Sequence, residues 1–477
     1  MPRRPLRVTG APEAPLRAAL ASLRTELGVP LAFPLGVLAE AERAAKAPAL
    51  PDHDATDIPF VTVDPPGADD LDQALHLARH GTGYRLRYAI ADVAAFVVPG
   101  GPVDVEAHRR VTTLYFPDGK IPLHPAVLSE GAASLLPGHD RPAALWTLDL
   151  DADGRTVAVD VHRALVRSRA RLDYPDVQRR IDAGTAEEPL RLLATVGRLR
   201  ERLEEERGGI SLNVPEQEIV EHDRAYALTY RAPLPAEGWN AQLSLLTGMA
   251  AADLMLASGT GVLRTLPTAP DGAVGRLRHT AHALRIDWPH HVSYARLIRS
   301  LDPHEPRHAA FLQECTTLLR GAGYTVFRDG RLPEITTHSA VAAPYTHCTA
   351  PLRRLVDRYT TALCLAAVAG EAPPDWVPAA LDALPKEMAE GGRRAAAVER
   401  ACVDTVEAAL LGGRVGEEFD GCVVDVDERR PTVGTVQLES PAVIGRIDGD
   451  PLPLGERLRV RLTEADPAGP TVRFVPA

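Results

Sequence analysis

FVTVDPPGADDLDQA, residues 60–74, sets a short β-branched run directly before a proline turn and a knot of carboxylates. Phe60 to Val63 alternates apolar and polar side chains, the pattern of a half-buried strand. Asp64 closes that strand, and Pro65-Pro66-Gly67 breaks the ladder and turns the chain. Asp69, Asp70 and Asp72 follow at once. Carboxylates packed this closely repel one another, so a fold keeps them in water or around a cation. Three readings stand at this point: a solvated acidic loop, a calcium loop, and a magnesium site for phosphate chemistry. The calcium loop fits poorly, because the alternating Asp/Asn pattern with glycine at its sixth position is missing.

The rest of the chain bounds the choice. Its 477 residues suffice for a large core and two or three domains. No run reaches the ~18 uninterrupted apolar residues of a membrane span. The opening MPRRPLRVTGAPEAPL has basic residues with no apolar core behind them, so no signal peptide is expected. Cys315, Cys348, Cys364, Cys402 and Cys422 show no paired spacing, which points away from a disulfide framework or zinc and towards a reducing cytoplasm. A net charge of −11 argues against a generally basic nucleic-acid coat, but a groove needs only local positive charge. That charge is almost all arginine, Lys46, Lys120 and Lys386 being the only lysines. Arginine suits bidentate phosphate contacts.

Hydrophobic spacing divides the chain into three parts. Residues 1–50 read as a small helical module, with Leu16, Ala19, Leu20 and Leu23 at helical spacing and a second helix over 38–46. Pro48-Ala49-Leu50-Pro51 reads as a linker into a main domain over 51–411. There, Tyr84 to Ile90 alternates as a strand, and 145–159 carries a hairpin turn at Asp151-Ala152-Asp153-Gly154. Helices are expected over 174–206, 240–258 and 306–321, from Leu352 onward, and over 385–411. Residues 412–477 are short strands with glycine and proline turns, the size of a five-stranded OB-type barrel.

Four blocks then fall in one order: VDPPGADDLDQA, YAIADVAAFV, RRVTTLYFPDGKIPLHPAVLSEGAASLLPGHDR and YTHCTAPLRRLVDRY. Together they resemble the catalytic domain of the ribonuclease II (RNB) family, over roughly residues 55–405. The resemblance implies an α+β RNB domain between the helical module and the OB-type barrel. It also implies a processive 3′→5′ hydrolase that takes 5′-nucleoside monophosphates from the 3′ end of single-stranded RNA, using magnesium, with manganese as a substitute. Single-stranded RNA 3′ ends are the partner it implies, with no membrane and no obligate protein partner. The chemistry agrees, since phosphodiester hydrolysis needs a cation to neutralise phosphate oxygens and activate water. Hard magnesium prefers carboxylate oxygens.

By the same resemblance, Asp64, Asp70 and Asp72 hold metal or its waters, and Asp72 orients or deprotonates the attacking water. The family has a fourth acid directly after the third, where this chain has Gln73. An amide oxygen can ligate magnesium but removes one charge. Gln73 as a neutral ligand, substitution by Asp69, and lost activity therefore compete, and the alternative to an enzyme is an RNA-binding RNB-fold protein with weak or no catalysis. Arg353 matches the arginine that contacts the scissile phosphate, and Arg354 is expected on a neighbouring phosphate or an acid. Tyr115 matches the tyrosine that stacks on the terminal base. Glu399 matches an acid near the RNA end, or else pairs with Arg393, Arg394 or Arg400 on its own helix. The second aromatic of some members falls near Thr260, so base clamping is expected to be one-sided. Asp92 and Arg110 are read as structural support, and His124, His290 and His291 as packing or solvated histidines. The cold-shock domains that many members carry first have no room in fifty residues.

Overall fold

The computed structural model describes residues 14–477 apart from 213, 215, 223–224, 270–271, 320, 428, 439, 467–468 and 470. Most of the opening stretch in which no signal peptide was expected, residues 1–13, lies outside the described residues. Helices α1 (Ala14–Glu26) and α2 (Leu35–Lys46) come first. Strands β1 (Phe60–Asp64), β2 (Gln73–His80) and β3 (Gly83–Ala91) follow, then α3 (Pro102–Arg110) and a short hairpin of β4 (Leu114–Phe116) and β5 (Gly119–Ile121). The long strands β6 (Asp140–Leu150) and β7 (Thr156–Asp173) complete a closed barrel, ordered β1-β2-β3-β6-β7. Within it only β1 and β7 run parallel. That pair closes the barrel and puts Asp64 beside Asp173 at its rim.

Helices α4 (Tyr174–Asp182) and α5 (Glu188–Glu206), hairpin β8 (Glu216–His222) and β9 (Ala225–Arg231), and α6 (Pro235–Ser258) come next. The helical stretch expected over 174–206 is two helices, the first capped by Asp173, which accepts from the Asp176 N–H at 2.8 Å. Helix α6 is apolar enough by composition to cross a membrane. Here Trp239, Leu243, Leu246, Ala251 and Met255 are buried in the largest core, with Leu86, Tyr88 and Trp146 of the barrel. A helix that is apolar on every face has to be buried, and a packed core satisfies that. Its Gly248 is needed for close approach, since a Cβ there would lie 2.3 Å from the Tyr345 ring.

Strand β10 (Gly261–Thr265) pairs with β11 (Gly323–Phe327) across α7 (Ala273–Ala283), α8 (Tyr294–Ser300) and α9 (Pro306–Cys315). After the two-residue strands β12 (Thr337–His338) and β13 (Ala343–Pro344) come α10 (Leu355–Ala369), α11 (Trp376–Ala380) and α12 (Leu384–Leu411). Strands β14 (Glu418–Asp427), β15 (Arg430–Leu438), β16 (Ile444–Asp448), β17 (Arg457–Asp466) and β18 (Thr471–Pro476) form the second closed barrel, ordered β14-β15-β16-β18-β17. The OB-type barrel is therefore present as expected.

The opening helices do not stand apart. Leu16, Leu20 and Leu23 of α1 share a core with Val398, Cys402 and Val406 of α12, with Leu114, Phe116 and Ile121, and with Phe419 and Val460 of the second barrel. Val37 and Ala41 of α2 pack with Val93, Phe96 and Val103. Residue 50 is thus not a boundary between cores.

Candidate active site

The acid loop is positioned by a plug. Leu71, between Asp70 and Asp72, is fully buried. Its N–H donates to Ser134 Oγ at 2.9 Å and its carbonyl accepts from the Leu135 N–H at 3.0 Å. The Ser134 hydroxyl in turn donates to the Asp69 carbonyl at 2.6 Å. Asp70 and Asp72, on either side of it, meet different elements.

Asp70 meets the hairpin β4–β5. Tyr115 and Lys120 are paired directly across it, so both side chains leave the same face. Lys120 Nζ lies 2.6 Å from Asp70 Oδ1, and the Tyr115 hydroxyl 3.5 Å from Asp70 Oδ2. The opposite face, Leu114, Phe116 and Ile121, is buried against α1 and α12. Burial pushes the Tyr115 phenol upward, so it stays protonated as a donor.

Asp72 meets the turn before α10. Its Oδ1 accepts from the Leu352 N–H at 2.8 Å, and Arg353 Nε lies 3.4 Å from Oδ2. The expected helix start at Leu352 is displaced to Leu355: the Arg353 and Arg354 N–H groups close one turn onto the Ala350 carbonyl, then Arg354 is extended and the Leu355 N–H donates to the Val111 carbonyl instead. The Arg353 carbonyl accepts from Thr112 Oγ1 at 2.8 Å and the Thr113 N–H at 3.1 Å, tying this turn to the strand that carries Tyr115. Burial pushes the Asp72 carboxyl up to about 8, against the pull of Arg353 and the Leu352 N–H. A buried carboxylate of this kind is costly to ionise unless a cation stands beside it.

The RNB domain matches residues 52–370, and the RNase II-type exonuclease C-terminal S1 domain matches residues 417–477. The chain belongs to the RNB family. Ribonuclease R of Aquifex aeolicus is 27% identical over 455 residues, covering 87% of this chain and 63% of that protein. Ribonuclease R of Escherichia coli is 29% identical over 340 residues, covering 68% and 40%. The chain spans less than two thirds of the length of these relatives. Among solved structures, the apo form of Mycoplasma genitalium RNase R has the same fold at a TM-score of 0.84, with 20% identity over 97% of this chain and 78% of that one. Yeast Ssd1, a pseudonuclease, matches at a TM-score of 0.67, with 15% identity over 93% and 57%.

Within the RNB fold the remaining residues sort by what they touch. Gln73 is held at both ends of its amide: Nε2 donates to the Thr349 carbonyl at 2.6 Å, and Oε1 accepts from the Tyr88 hydroxyl at 2.7 Å. A carbonyl can only accept, so the amide orientation is unambiguous. Asp69 is exposed and paired with Arg171 at 2.7 Å, away from Asp72. Of the two partners expected for Arg354 the structure supplies the acid, a buried two-armed pairing with Asp357 at 2.9 and 2.8 Å. The Arg353 guanidinium keeps more exposure than that of Arg354. Glu399 is part-buried on α12 between Val398 and Cys402, which pack under the Tyr115 hairpin. Thr260 directly precedes β10. Asp92 caps a short turn and accepts from Arg163 Nε at 2.7 Å. Arg110 is buried on Glu106 and over the Phe33 ring, both structural contacts. His290 and His291 are exposed and His124 is buried.

Asp64, Asp70 and Asp72 supply the hard oxygen donors that magnesium prefers. As placed, however, no three His, Cys, Asp or Glu side chains among the described residues gather into a metal-holding group. Donor chemistry fits and convergence does not. The residue that sequence reasoning passed over is Lys120, which occupies one oxygen of Asp70 and also lies 2.9 Å from Glu130 Oε1. Its signal was available: Pro117-Asp118 reads as a two-residue hairpin turn, which sets Phe116 opposite Gly119 and Tyr115 opposite Lys120.

Proposed function

We propose that this chain is a magnesium-dependent, processive 3′→5′ exoribonuclease that releases 5′-nucleoside monophosphates from single-stranded RNA. The observation that carries the reading is the meeting of three parts. Asp72 lies against Arg353, Asp70 lies against Tyr115, and the Arg353 turn is bonded to the strand leading to Tyr115. The names of the relatives, ribonuclease R in both cases, support it.

Each part has a task. Tyr115 offers a ring to the terminal base, a contact of ~1–3 kcal/mol that every base can make. Arg353 offers a guanidinium to the scissile phosphate and steadies the charge that develops there. Asp72, fixed by the Leu352 N–H, sets a buried carboxyl beside that arginine, one that can accept a proton once a bound cation has ionised it. Magnesium, when bound, neutralises phosphate oxygens and lowers the pKa of an attacking water. All five cysteines are free and buried, which suits a reducing cytoplasm.

Digestion of 5′-labelled RNA with Mg²⁺ or Mn²⁺ tests the reading. A ladder shortening from the 3′ end with 5′-monophosphate products, lost in Asp72→Asn, is expected. RNA that is bound and left intact with either metal would favour the RNA-binding alternative. Equal digestion of DNA would point to a site indifferent to the 2′-hydroxyl.

A further inference from the structure

Lys120 is a lysine in a chain whose basic charge is otherwise nearly all arginine. Its ammonium is held from two sides, 2.6 Å from Asp70 Oδ1 and 2.9 Å from Glu130 Oε1, and its side chain is only 23% exposed. The hairpin aims it: Lys120 is the cross-strand partner of Tyr115, and the apolar residues on the hairpin's other face anchor it in the core. Two further facts concern the same cluster. The described acids do not gather into a three-ligand group, and the position after Asp72 is a neutral glutamine with its amide bonded to Thr349 and Tyr88.

We propose that Lys120 is a resident cation of the acid cluster, a positioning residue that acts through Asp70. The ammonium takes the place that a metal ion would otherwise hold on that carboxylate and fixes its orientation. Glutamine at position 73 and lysine at position 120 both make the cluster less negative. The site thereby binds divalent metal weakly before RNA arrives, and the phosphate of the substrate supplies the missing negative charge. This inference rests on the acid cluster being the metal site of the proposed hydrolase.

The test uses the full chain without RNA and Mn²⁺ alone as the probe, with free Mn²⁺ followed by electron paramagnetic resonance. Lys120→Met removes the ammonium, and Lys120→Gln keeps a hydrogen bond to Asp70 without the charge. Both are expected to bind Mn²⁺ at least about tenfold more tightly than wild type, the effect of deleting one like charge a few ångströms from the ion. Lys120→Arg, which keeps the charge, is expected to stay within about threefold of wild type. A merely structural ion pair would lower the unfolding midpoint of Met and Gln variants and leave Mn²⁺ affinity unchanged, and that result overturns the proposal. Asp72→Asn separates the two failures. If it too leaves Mn²⁺ binding unchanged, the cluster is not the metal site; if it weakens binding while the Lys120 variants do nothing, only the role of Lys120 is lost.

Discussion

Gln73 shows how one side chain can be assigned a role by sequence and a different neighbourhood by structure. Its position in the acid run suggests a ligand, yet its amide bridges β2 to the Thr349 carbonyl and to Tyr88. Gln73→Glu keeps the length but sets a carboxylate against a carbonyl that can only accept. Leaving that contact unmade costs on the order of 1–3 kcal/mol, so the urea midpoint of Gln73→Glu is expected to fall accordingly. His124 carries a second expectation. Burial first, and then Arg358, hold its folded pKa down to about 4, against an unfolded value of about 6.5. A depressed pKa means the native state binds fewer protons than the unfolded chain. The stabilisation is complete above about pH 6.5 and is lost as pH falls through about 4, by on the order of 3 kcal/mol. Unfolding free energies between pH 7.5 and 4.5 should therefore slope less steeply in His124→Asn than in wild type. His338 and His347 are shifted the same way by burial and add to the slope of both proteins.

At the scale of elements, three pieces far apart in sequence are bonded into one frame: the acid loop, the β4–β5 hairpin and the turn before α10. Val111 sits at the joint with φ of +68°, unusual for a β-branched residue. Its N–H donates to the Ala107 carbonyl and its own carbonyl accepts from the Leu355 N–H. Gly391 of α12 passes so close that a Cβ there would lie 2.5 Å from Val111 Cγ1. Gly391→Ala is therefore expected to push on that joint, reducing kcat on RNA with a smaller change in KM for a short oligonucleotide. An unchanged kcat would show the joint to be irrelevant to turnover. Leu71→Ala acts on the loop instead. Truncating a fully buried leucine costs about 2–5 kcal/mol, and the loss here should appear both in the thermal midpoint and in turnover, because the same side chain anchors the loop that carries Asp70 and Asp72.

For the whole molecule, the opening helices are part of the catalytic frame. Arg24 of α1 pairs with Asp118 at the hairpin turn and stacks over Phe116, so α1 braces the strand pair that presents Tyr115 and Lys120. Among the described residues the S1 barrel is the only small barrel beside the catalytic one.

Much of this was legible from local order. The strand–turn–acid pattern of residues 60–74, the alternation of 84–90, the glycine-terminated α12 and the short strands after residue 412 are all set by near neighbours in the chain, where backbone preference and side-chain period act. Four ordered blocks were enough to bring Asp72, Tyr115 and Arg353 under one expectation. What local order could not carry is partner choice across the fold. Arg353 and Arg354 are adjacent and chemically identical, yet one borders Asp72 and the other is consumed by Asp357, with the chain leaving its turn and becoming extended at Arg354. Asp69 and Asp70 diverge in the same way, one to Arg171 in solvent and the other to Lys120. The acid loop remains the centre of the molecule, but the charge it holds depends on a lysine fifty positions downstream that only tertiary packing delivers to it.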